Sequence, residues 1–118
     1  MANYKELKVW QKSMDLVVDI YKTINNLPQI EKFALSDQIR RCSVSIPSNI
    51  AEGAGRNHTK EFIQFLSISL GSLYELQTQL EIAKRVGYIS DIVELNKKTL
   101  EIEKMLNALI TSMKRSLA

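Results

Sequence analysis

His58 and Cys42 are the only histidine and the only cysteine in a chain of 118 residues, and they set the first limit on its chemistry. A di-metal carboxylate centre in a helical bundle needs a Glu-x-x-His pair on each of two helices, which one histidine cannot supply. A phosphotransfer bundle would hold its histidine on an exposed mid-helix face, whereas His58 lies in "RNHTKE", where a helical pattern begins. It reads as a solvated turn residue, with contact to a phosphate as the alternative. Cys42 falls on an apolar helical stripe with no histidine at helical spacing, the pattern of a small buried hydrophobe rather than of an activated thiolate. A single cysteine also excludes an internal disulfide and a cysteine-rich zinc site. Gly53-Ala54-Gly55 follows a helical pattern rather than a strand and lacks the third glycine and the Lys-Ser/Thr of phosphate-binding loops. Asn57-His58-Thr59 matches the glycosylation pattern, but "MANYKELKVWQKS" carries charges throughout and has no signal-peptide core. These residues imply no enzyme, no cofactor and no metal; Glu52 would be the acid of any unrecognised activity.

The arginines point elsewhere. Arg40, Arg41, Arg56 and Lys60, with Lys84 and Arg85, read as a basic patch for RNA or DNA phosphates, salt-sensitive and weakly selective for sequence. Against this stands an ion-pair ladder, with Arg41 one turn beyond Asp37 and on the face of Glu52. Residues 1–60 hold nine Lys/Arg and six Asp/Glu, residues 61–118 seven of each, so the net charge of +3 lies in the first half. Aromatic platforms for unstacked bases are not evident, because Trp10, Phe62 and Phe65 sit in or beside apolar stripes.

Four helices must position these groups. Hydrophobic residues at 45% and charged residues at 25% suit one soluble domain over residues 1–118, and no apolar run is long enough to span a bilayer. A cytoplasmic location is expected. Leu7, Trp10, Met14, Val17, Val18, Tyr21 and Ile24 form the stripe of a helix over 5–26, which Asn25, Asn26 and Pro28 end. A second helix is predicted over 33–55. A third, over 59–87, starts from Thr59 as cap, carries Phe62, Leu66, Ser69, Leu73, Leu76, Leu80 and Ala83, and stops at Gly87. A fourth, over 91–116, takes Ser90 as cap and carries Ile92, Leu95, Ile102, Leu106, Leu109 and Met113. Strand alternation is missing. Short links between long amphipathic helices imply an all-α, antiparallel up-down four-helix bundle.

The second helix is unusual. Leu35, Ile39, Cys42, Ile46, Ile50 and Gly53 make one stripe, and Val44, Pro47 and Ala51 make another part-way round the cylinder. Either the helix is central in its own bundle, or its second face meets another subunit. Pro47 removes a backbone bond and leaves the carbonyl of Ser43 without its helical donor. The helix either kinks there, with Ser43 and Ser45 hydroxyls bonding freed groups locally, or breaks at Ile46 and restarts. Gly53 and Gly55 either end the helix or let another backbone come close.

The segments "LKVWQKSMDLVVDIY", "LSDQIRRCSVSIPSNIAEGAGR" and "KEFIQFLSISLGSLYELQTQLEIAKRVGYIS" resemble the bacterial S23 family of four-helix bundle, or 23S rRNA intervening-sequence, proteins over nearly the whole chain. The most specific part is "SIPSNIAEG" with the "GSLYELQTQL" that follows. Family members are similar to the accessory protein of diversity-generating retroelements. The resemblance implies a homopentameric ring, association with RNA or DNA, and a protein partner such as a reverse transcriptase or an RNA-processing factor, with no membrane. It implies further that Ser45, Ile46, Pro47, Ser48, Asn49, Ile50, Ala51, Glu52 and Gly53 form a structural signature which, with Val44, serves the subunit interface. The chain departs from the pattern at Leu70, where a basic residue is expected, and at Gln77, where a glutamate is usual.

Overall fold

The computed structural model describes residues 3–117, and among them there are helices and turns but no strands. The long helices are α1 (Lys8–Ile24), α2 (Leu35–Ala54), α3 (Thr59–Arg85) and α4 (Val93–Ser116), with short 3-10 turns at Tyr4–Glu6 and Gln29–Glu31. Each helix packs on its neighbours in chain order, α4 closes on α1, and the α2–α3 contact is the most extensive. The bundle is an elongated body of 47 × 22 × 20 Å. No helix among the described residues is long and apolar enough to cross a membrane.

The helix ends differ from the sequence expectation by small, explicable steps. Tyr4–Glu6 is a separate turn, capped by the Asn3 side chain accepting from the Lys5 N–H at 3.0 Å, so α1 starts later than residue 5. His58, not Thr59, precedes α3, and it makes no capping bond. At α4 the cap position is Ile92 rather than Ser90. Ile92 is 2% exposed and is drawn into the core before the helix starts, while Asp91 accepts from the Val93 N–H at 2.8 Å. Gly87 does stop α3: its φ of 87° lets the Tyr88 N–H reach back to the Ala83 carbonyl at 2.9 Å. Tyr88 then donates its hydroxyl to Glu31 at 2.9 Å, tying the α3–α4 turn to the α1–α2 turn at one end of the bundle. That bond, more than burial, holds the Tyr88 phenol above its usual range.

The core is mainly aliphatic, with Phe62 as its buried aromatic. Leu16, Ile20, Ile39, Ile46, Ile50, Leu66, Leu73, Leu76, Leu80, Ile102 and Leu106 are fully buried, as the stripes of α2, α3 and α4 predict. On α4, Ile110 takes the buried place at the lower end, and Leu109 and Met113 are only half-buried. Four buried hydroxyls donate to backbone carbonyls: Ser13 to Val9, Ser43 to Arg40, Ser69 to Ile46 and Thr99 to Asn96.

On α1 the sequence reading requires a correction. The core side of α1 is Val9, Ser13, Leu16 and Ile20, whereas Met14, Val18 and Tyr21 from the expected stripe are 40%, 53% and 44% exposed. Two apolar rows run along this helix, about a third of a turn apart at the helical step of 100° per residue. The inner row is interrupted by a serine and is the quieter of the two in sequence. It is fixed by ion pairs to α4 from Lys12 to Glu101 at 2.7 Å and from Lys98 to Asp19.

Candidate interaction surfaces

The Pro47 segment lies where α2 and α3 meet. The helix is continuous through Pro47, which is itself buried, so the break expected as one alternative does not occur. The two hydroxyls divide: Ser43 bonds locally, as expected, and Ser45 reaches the neighbouring helix. Ser43 donates one turn back to the Arg40 carbonyl at 2.8 Å, and Ser45 shares a bond with Ser72 of α3 at 2.8 Å. Asn49 donates to both the carbonyl and the hydroxyl of Ser45, at 2.8 and 2.9 Å, and Ser69 of α3 donates to the Ile46 carbonyl at 2.5 Å. A helix weakened by proline is thus clamped from its neighbour. Gly53 extends the same seam, because a Cβ there would stand 2.7 Å from Phe65 Cβ and 2.9 Å from Phe62 Cδ1. Only hydrogen fits that approach.

Cys42 sits further along this contact, half-buried, 3.4 Å from a Glu75 oxygen and from the Gln79 amide nitrogen. Burial, with smaller effects from Glu75, pushes its thiol up and away from thiolate. No group of three or more His, Cys, Asp or Glu among the described residues stands together as a metal site.

The signature residues divide between two surfaces. Ser45, Ile46, Asn49, Ile50 and Gly53 belong to the seam inside the chain. Pro47 faces the other way with Val44, Ser48 and Ala51, and these join Tyr4, Trp10, Met14 and Val17 around a shallow groove of about 330 Å³ between α1 and α2. Tyr4 and Trp10 meet edge to face at 5.3 Å on its rim. The apolar surface continues along α1 through Val17, Val18 and Tyr21. Glu52 is exposed and belongs to neither surface; it pairs with Arg56 at 2.7 Å, not with Arg41.

The six basic residues do not form one patch. Arg40 and Arg41 near the start of α2 share an end of the bundle with Lys84 and Arg85, which close α3. Arg56 and Lys60 lie at the other end, on the order of 35 Å away along α3 at 1.5 Å per residue. Most are engaged. Asp37 binds both Arg40 and Arg41, the latter at 2.9 Å, Glu52 binds Arg56, and Glu81 binds Arg85 at 3.0 Å. Arg56 also lies 5.2 Å over the Phe65 ring. One carboxylate serving two guanidinium groups leaves an excess positive charge at Asp37, and Lys60 and Lys84 make no ion pair among the described residues.

His58 is exposed, as a turn residue should be. Phe33 is the residue that sequence reasoning missed. The sequence pattern makes it the first residue of the second helix, but it stands before α2 and is 87% exposed, with the Lys32 ammonium 5.3 Å from its ring centroid. Its signal in the sequence is an aromatic outside every apolar stripe.

Fold and surfaces together define an all-α bundle protein with a closed core and a second apolar face left open. The chain belongs to the 23S rRNA-intervening sequence protein family, whose sequence model matches residues 5–108. Among solved structures it is similar to a crystal structure at 1.70 Å of a protein of unknown function from the S23 ribosomal protein family of Bacteroides thetaiotaomicron VPI-5482. The TM-score is 0.80 and the identity 31%, over 86% of this chain and 97% of that one. A comparison with curated proteins finds no match.

Proposed function

We propose that this protein is a non-enzymatic adaptor in which copies of the up-down bundle assemble into a ring and bind RNA or DNA through charge. The observation that carries the reading is the open apolar face: Met14, Val18, Tyr21 and Val44, each 38% exposed or more, lie on adjoining helices of one chain. A contiguous apolar surface of this kind favours a protein contact over solvent. A ring of copies has to cover it with a different surface, since a head-to-tail contact is not self-matching. The nucleic-acid part draws on the family description, which names an rRNA intervening sequence, and on the excess charge at Asp37. Repetition around a ring multiplies a weak patch on each subunit.

A second reading, a scaffold for a protein partner such as a reverse transcriptase, is favoured by the engagement of Arg40, Arg41, Arg56 and Arg85 in ion pairs. The double substitution Arg40→Glu, Arg41→Glu separates the two. The adaptor predicts loss of RNA binding with the oligomer intact; the scaffold predicts no RNA binding by the original protein and a variant that falls to monomers.

A further inference from the structure

We propose that the α1–α2 turn is a contact for an unpaired nucleotide, with its base stacked on Phe33 and its phosphate drawn to Lys32 and Arg40. This rests on the nucleic-acid reading and gives it a place and a strand preference.

Phe33 and Ile30, 87% and 84% exposed, are the most exposed large hydrophobic residues described, and both belong to this one turn. They are too far from the core to stabilise the fold by burial. Lys32 occupies one face of the Phe33 ring at 5.3 Å, and the exposure of the ring leaves the opposite face to solvent. Lys32 also lines a cavity of about 260 Å³, together with the polar residues Asn25, Gln29, Ser36 and Arg40 and the apolar Ile24, Leu27 and Pro28. The exposed ring and the cavity therefore adjoin at Lys32.

The charges around the turn suit an anion. Of its two acidic neighbours, Asp37 is shared by Arg40 and Arg41, and Glu31 keeps its charge while accepting from Tyr88 at 2.9 Å and from the Leu35 N–H at 3.3 Å, so that with Lys32 the balance of these groups is positive. Lys32 makes no ion pair among the described residues. An exposed aromatic ring beside cations is the arrangement that takes up single strands, because every base has a π-face while a duplex keeps its bases stacked. A duplex can use only the cations here.

The test uses the full chain and a fluorescein-labelled 12-nucleotide single-stranded RNA, with its duplex of equal length as control, at low salt. The wild type is expected to prefer the single strand. Phe33→Ser should weaken single-strand binding by roughly 10-fold, leave duplex binding unchanged and melt like the wild type. Phe33→Trp, read against the constant signal of Trp10, should show indole quenching when the single strand binds. Single-strand binding undiminished in Phe33→Ser, or no quenching in Phe33→Trp, overturns the contact while leaving electrostatic binding elsewhere intact. A wild type that binds neither strand form at low salt overturns the adaptor reading as well.

Discussion

The two apolar faces of α2 meet different fates. Ile39, Ile46, Ile50 and Gly53 are sealed against the rest of the bundle, and every hydroxyl along the seam has a partner. Of Val44, Pro47 and Ala51, a third of a turn away beside α1 and a shallow groove, Pro47 is buried, Ala51 half-buried and Val44 38% exposed. Three isoleucines make the first row the richer in aliphatic carbon. Small residues and hydrogen bonds seal it further: Ser45 bonds Ser72, Ser69 donates to the Ile46 carbonyl, and Gly53 lets Phe62 and Phe65 come close, while the other row packs on α1 and borders the groove. The first face specifies the fold, and the second remains available for assembly.

Substitutions along α2 sharpen that contrast. Ile46→Ala should lower unfolding free energy by about 2–5 kcal/mol through loss of buried area and an unfilled cavity, while Val44→Ala should stay within about 0.5 kcal/mol in the monomer; urea titration of both measures the difference directly. Next in size is Gly53→Ala. The added methyl meets Phe65 and Phe62 below 3 Å, so despite the better helix propensity of alanine a net loss of about 1–3 kcal/mol is expected, read as a lower melting temperature. A Gly53→Ala protein that melts above the wild type would remove the close approach from the account. Ser69→Ala comes third, with about 1 kcal/mol lost along with the bond to the Ile46 carbonyl. A smaller effect concerns Cys42. Its raised thiol pKa lowers the thiolate fraction, so alkylation should run slower than for an exposed cysteine at the same pH and accelerate as pH rises. A rate equal to that of a free thiol would show that the Glu75–Gln79 contact opens in solution.

Much of the fold was legible because α2, α3 and α4 each have one dominant stripe of Leu and Ile at helical spacing. The α1 stripe misled for a physical reason. Periodicity detects any apolar row, and Trp10, Met14, Val17, Val18 and Tyr21 form a richer row than Val9, Ser13, Leu16 and Ile20. The Pro47 clamp was half legible: the serines mark the segment, but Ser69 and Ser72 lie more than twenty positions away and only the α2–α3 packing brings them in. The basic residues were legible as types, not as a group, since helix length separates Arg56 and Lys60 from Lys84 and Arg85. Phe33 escaped because a turn has no period to read.

The central claim is that the open α1–α2 face joins copies of the chain. Light scattering on the wild type and on Met14→Lys, Val18→Asp tests it most directly. Both positions are exposed in the single chain, so the variant should keep its helical circular dichroism and its melting transition as a monomer. The account predicts a mass several times that of one chain for the wild type, falling to one chain in the variant. A wild type that is already monomeric, or a variant that keeps the full oligomeric mass, would contradict it.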